Sequence, residues 1–122
     1  MEEKWLENAK AGNMKDMKET YQSLRSKGLL REVKTFKDSD GYNALMWATE
    51  NGHLDVCQFL VREHLVDVNS KDVGGWNALH FAVMTDRPEI AELLLEETSI
   101  DVNAETNGGN TALHIAALCN NP

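Results

Sequence analysis

The chain has 122 residues, is 42% hydrophobic and 26% charged, and carries a net charge of −8 with a pI near 4.9. That length suits one small domain, and the acidic balance argues against nucleic acid as partner, because affinity for phosphates rests on Lys and Arg. The charge-free run that ends in Ala112–Pro122 is too short and polar to span a bilayer, and the acidic start MEEKWLENAK lacks the apolar core of a secretory signal.

In chain order, residues 1–27 are the least patterned. Met14, Met17, Tyr21 and Leu24 mark one helical face, and Gly12 stands 40 residues before Gly52 (52 − 12). The stretch LLREVKTFK then reads as a long connection. From there the chain repeats itself. DGYNALMWAT (Asp40–Thr49) returns as GGWNALHFAV (Gly74–Val83) and GGNTALHIAA (Gly108–Ala117). Ala44, Ala78 and Ala112 are 34 apart (78 − 44, 112 − 78), as are Gly41, Gly75 and Gly109. Asp67-Val68-Asn69 recurs at the same step as Asp101-Val102-Asn103. A fixed period of this size predicts stacked copies of one supersecondary unit.

Each unit opens on a glycine turn (DSDGY, DVGGW, TNGGN), where glycine supplies a left-handed backbone. A short helix follows, over Asn43–Asn51, Asn77–Thr85 and Thr111–Cys119. After a tight break, a second helix is predicted over Leu54–His64 and Pro88–Glu97, with Pro88 suited to a first turn. Val56, Cys57, Leu60 and Val61, and Ile90, Ala91, Leu93 and Leu94, give these helices one apolar face. A pair this short cannot bury both its faces alone, so neighbouring units must cover one another.

Units reading G-x-N/T-A-L-H-x-A, then NGHLDV, then DVN resemble the ankyrin repeat from residue 36 to the end. Ala44, Ala78 and Ala112 stand where the family usually has proline. NAKAGNMKDM (Asn8–Met17) is similar to the family's AAxxGHxxxV. The resemblance implies an all-α ankyrin-repeat solenoid of stacked helix-turn-helix units with projecting hairpin loops. Its single domain would comprise a degenerate capping repeat (1–36), repeats 37–70 and 71–104, and a truncated repeat (105–122). Asn120-Asn121-Pro122 aligns with Asp86-Arg87-Pro88, so the chain stops where an outer helix is due. Leu113, Ile115, Ala116 and Leu118 are then expected to be only partly covered. Either the array continues in a longer protein, or the open face pairs with another chain, including a second copy.

No HExxH, zinc-spaced Cys/His cluster, P-loop or GxSxG is present, so no catalytic residue, metal site or cofactor is assigned. Cys57 and Cys119 form no CxxC, and an intracellular, reducing compartment is expected. Cys57 reads as packing, and Trp47, which steps to Phe81 and Ile115, as core. His64 reads as the end of an outer helix. The resemblance makes His80 and His114 structural, bridging neighbouring loops, and gives His53 a turn position. It also places partner contacts at the loop tips, here Ser39, Asp40, Tyr42, Val73, Gly74, Trp76, Asn107 and Asn110. The ends of the inner helices add Glu50, Asn51, Met84, Thr85, Leu118 and Cys119. That footprint, aromatic and acidic, suits a protein with basic and apolar groups. LEETSIDVN (Leu95–Asn103) resembles the context in which an asparagine hydroxylase modifies ankyrin repeats, with Asn103 the acceptor; its plainer reading is that Asn103 caps its own turn. The expected function is a non-catalytic interaction module, a scaffold or adaptor. The other reading is a regulatory or targeting part of a larger enzyme.

Overall fold

The asparagines that open each unit fix where its inner helix starts. Asn43 and Asn77 are extended, and their side-chain oxygens accept the N–H of Met46 (2.9 Å) and His80 (3.0 Å). These bonds satisfy donors that a helix start leaves free. A computed structural model describes residues 2–119. Its helices run α1 (Glu2–Ala11), α2 (Met14–Ser26), α3 (Ala44–Glu50), α4 (Leu54–Arg62), α5 (Ala78–Met84), α6 (Pro88–Glu97) and α7 (Ala112–Cys119). No strand occurs among the described residues.

The inner helices stack α1 on α3, α3 on α5 and α5 on α7. In the outer row α4 packs on α6, and Tyr21 of α2 meets Phe59 of α4 edge to face, 5.5 Å between ring centres. Ala44, Ala48, Ala78 and Ala82 are buried between inner helices, where a larger side chain would push the units apart. Leu45, Val56, Leu60, Leu79, Ile90 and Leu94 fill the space between rows. The first helix pair joins this core through Trp5, Met17 and Leu24, all fully buried.

Three details differ from the sequence reading. The connection after α2 is ordered: a 3-10 turn over Glu32–Thr35 buries Val33. Helix α4 stops at Arg62, because His64 takes a left-handed φ of 53° and the Leu65 N–H turns back to Leu60 O (2.9 Å). Ile115 is fully packed against its neighbours rather than partly covered, whereas Leu113 and Leu118 are 78% and 68% exposed. Asn120, Asn121 and Pro122, on which the alignment of the last unit rests, lie outside the described residues.

The units also interlock at their turns. Gly12 and Gly52 have positive φ (72° and 77°), and a Cβ on them would stand 2.5 Å from the His53 ring and 2.7 Å from the Arg87 guanidinium. His53 Nε2–H donates to Lys10 O (3.0 Å), and Arg87 Nη2 to Glu50 O (3.3 Å). Both residues precede an outer helix and reach back into the unit before.

Candidate functional site

The loop tips are built on one plan. Asp72 N–H donates to Trp76 O (2.9 Å), and Gly75 N–H to Asp72 O (3.0 Å). Asp72 Oδ1 accepts Gly74 N–H (2.9 Å) and Trp76 N–H (2.8 Å). Asp38 does the same for Asp40 and Tyr42 (both 3.0 Å), and Thr106 Oγ1 takes Asn110 N–H (3.3 Å). Adjacent tips are tied together, Val73 N–H to Asp40 O (3.1 Å) and Asn107 N–H to Gly74 O (2.9 Å). A Cβ on Gly41, at φ 81°, would stand 2.9 Å from Asp72 Cα, so only glycine admits this approach. Below the tips, Lys37 Nζ donates to Lys71 O (3.4 Å) and Lys71 Nζ to Glu105 O (3.2 Å).

Between the tips and the inner helices runs a row of aromatic rings. Trp47 lies 4.6 Å from Tyr42, Tyr42 5.0 Å from Phe81, and Phe81 5.5 Å from Trp76. Trp47 is thus not core. It is half-buried along the groove, with its Nε1–H on Asp38 Oδ2 (2.9 Å). Phe81 and Ile115, at the same step, are buried (6% and 3% exposed); the larger indole instead leans out to a polar partner for its N–H. Trp76 does not project freely from its tip either; it is half-buried against Phe81 and His80.

Two clefts open along this row. One, of about 350 Å³, is lined by Tyr42, Glu50, Asp72, Val73, Gly74, Trp76, Phe81, Met84 and Thr85. It gathers Tyr42, Glu50, Val73, Trp76, Met84 and Thr85, all anticipated as contact residues. The other, of about 520 Å³, is lined by Glu3, Lys4, Leu6, Glu7, Lys10, Asp38 and Trp47. There the Lys10 ammonium sits 4.4 Å from the centre of the Trp47 ring. Acidic side chains lie beside Tyr42 in the cleft of about 350 Å³. Tyr42 donates to Glu50 Oε1 (3.5 Å), and its phenol is pushed up to about 12, first by burial and then by Glu50 and Asp72.

The other anticipated residues are dispersed. Ser39 and Asp40 are exposed on the first tip, and Asn110 is half-buried on the third. Asn51 and Asn107 have structural work: Asn51 Nδ2 donates to Lys10 O (3.0 Å), and Asn107 Nδ2 to Val73 O (2.9 Å). Leu118 is exposed on α7, and Cys119 Sγ lies 3.7 Å from Met84 Sδ. The sequence reading missed Asp38, Asp72 and Lys10. The first two stand 34 apart (72 − 38), a usable signal; Lys10 follows the 40-residue offset of Gly12, which would have set it beside Glu50 (50 − 10).

His80 is buried, its Nδ1 accepting Asn77 N–H (2.9 Å) and its Nε2–H donating to Ala104 O (2.9 Å). It bridges to the following loop, and burial holds its imidazole below the ordinary range. His114 accepts Thr111 N–H (3.1 Å) but is exposed. Cys57 is buried 3.6 Å from Thr49 Oγ1, and burial pushes its thiol up to about 12. No cluster of three or more His, Cys, Asp or Glu suited to a metal occurs among the described residues. Asn103 does not cap its turn; Asp101 Oδ1 does, accepting the Asn103 N–H (3.0 Å).

A family model described as ankyrin repeats, in three copies, matches residues 14–72 and 65–122. The chain belongs to the ankyrin repeat family. No curated protein matches it. The matched segments of this ankyrin solenoid begin at α2. Ankyrin repeats are in general protein–protein interaction modules. No described helix is long and apolar enough to cross a membrane.

Proposed function

We propose that this ankyrin chain is a non-catalytic scaffold or adaptor that holds another protein along the groove between its loop tips and inner helices. The observation that carries this reading is the aromatic row from Trp47 to Trp76, set between the inner helices and tips that are hydrogen-bonded to one another. Trp47, Tyr42 and Trp76 are half-buried in it, and aromatic rings on a rigid frame lose little entropy on binding and dominate interface energetics. Asp38, Asp40, Glu50 and Asp72 along the row favour a partner with basic as well as apolar groups. Its setting in this reading is intracellular, where the exposed Cys119 thiol stays reduced.

The test is capture of a partner by the intact chain, by Trp76→Ala and by Tyr42→Ala. Each truncation is expected to weaken the complex about tenfold or more. Retention unchanged with both rings removed would sink the groove as the binding surface.

A separate observation favours modification of Asn103. The equivalent Asn69 is engaged, its Oδ1 accepting Asp101 N–H (2.7 Å) and its Nδ2 reaching Ser99 O (3.4 Å). The Asn103 side chain is exposed and makes no hydrogen bond among the described residues. Incubation with the asparagine hydroxylase, 2-oxoglutarate and iron should add the mass of one oxygen atom at Asn103. An unchanged intact mass would refute it.

A further inference from the structure

Among the described residues, Glu50 and Asp72 of the groove have no ion-pair partner. The ion pair among the described residues joins Arg62 and Glu97 (3.0 Å) on the outer helices, away from the row of rings. In the 350 Å³ cleft, Asp72 uses Oδ1 for its own turn, leaving Oδ2 without a hydrogen bond among the described residues. Glu50 has one long contact, from the Tyr42 hydroxyl at 3.5 Å. Two carboxylates therefore border a cleft whose other walls are the Tyr42, Trp76 and Phe81 rings and Met84.

The neighbouring cleft shows what such a wall accepts. There the chain's own Lys10 lies over Trp47, among Glu3, Glu7 and Asp38. The row continues from Trp47 to Tyr42 and Phe81, but among the described residues no cation lines the second cleft. A purely apolar occupant would desolvate Glu50 and Asp72 without a partner, and an anionic one would be repelled. A long basic side chain meets both walls, its methylenes on the rings and its charge on the carboxylates.

We propose that this cleft receives a cationic side chain, arginine or lysine, of the bound partner, its stem along Phe81 and Met84 and its head at Glu50 and Asp72. The inference rests on the interaction-module reading and specifies the chemistry that the module recognises.

The probe is a random-peptide display library selected on the immobilised chain. Selected peptides are then titrated against the wild type, Glu50→Gln, Asp72→Asn and Trp76→Ala, each checked for an unchanged circular dichroism melt. Glu50→Gln and Asp72→Asn keep shape and hydrogen-bonding oxygens while removing charge, so their effect is not one of folding. The selected peptides are expected to carry a basic residue whose replacement by norleucine weakens binding about tenfold. Glu50→Gln should weaken the same peptides about fivefold or more, and the loss should shrink as salt rises. Peptides that need Trp76 but are indifferent to Glu50→Gln and to their own basic residues would overturn the cation site while leaving the groove intact. A selection yielding no peptide that depends on Trp76 would overturn both.

Discussion

His80 shows how one side chain can belong to two repeats. Its Nδ1 completes the start of α5, and its Nε2–H reaches Ala104 in the next loop. A proton added at Nδ1 would face the Asn77 N–H, so the folded state holds the neutral ring. Its pKa lies below the ordinary 6.5 because of burial, so below that value the unfolded chain binds more protons than the folded one. Stability from this group is therefore complete above the ordinary value and falls as pH drops through it. The melting temperature should decline from about pH 7.5 to about pH 5.5. His80→Phe should melt lower at both, by about 2–3 kcal/mol for two orphaned partners, with a shallower decline. An equal decline in the variant would assign the pH effect elsewhere. The structural role of His80 was legible from its place in the repeat. That of Trp47 was not, because periodicity marks a position as inward-facing but does not say whether an indole fits there.

At the scale of elements, starts were easier to read than stops. Pro88 announces α6 in the sequence, and α3 and α5 begin one residue after the Asn43 and Asn77 read as their first residues, because those side chains cap the helices. The end of α4 carries no such mark. A histidine occupies the left-handed position where glycine is usual, so the apolar pattern alone carries the helix two residues too far. The same mismatch yields a prediction. His64 is exposed and makes no side-chain hydrogen bond among the described residues, so no side-chain contact offsets the cost of its left-handed backbone. His64→Gly should stabilise the protein by about 0.5–1 kcal/mol. A urea titration should show a higher midpoint with an unchanged slope. A lower midpoint would mean that glycine's freedom in the unfolded chain outweighs the relief.

For the whole molecule, the stack was legible because the 34-residue step recurs at many positions. The groove was legible only in part. Loop-tip residues follow the step, but Lys10 lies before the extra connection residues, and the row of rings arises from contacts between units that no single unit encodes. Stability is likewise shared between units. Gly52→Ala combines a left-handed backbone with a clash against Arg87 of the following unit, and should cost about 1–2 kcal/mol in urea denaturation. In an Arg87→Ala background the cost should fall toward its backbone part alone. Equal costs in both backgrounds would show that the two turns are not coupled.

That coupling gives the molecule a polarity. Two of the turns are covered by a side chain from the turn that follows: His53 over Gly12, then Arg87 over Gly52. Swapping two internal modules would therefore break both seams, even though their helices would still match. Shuffled or lengthened versions of this protein must keep each glycine with the successor that seals it.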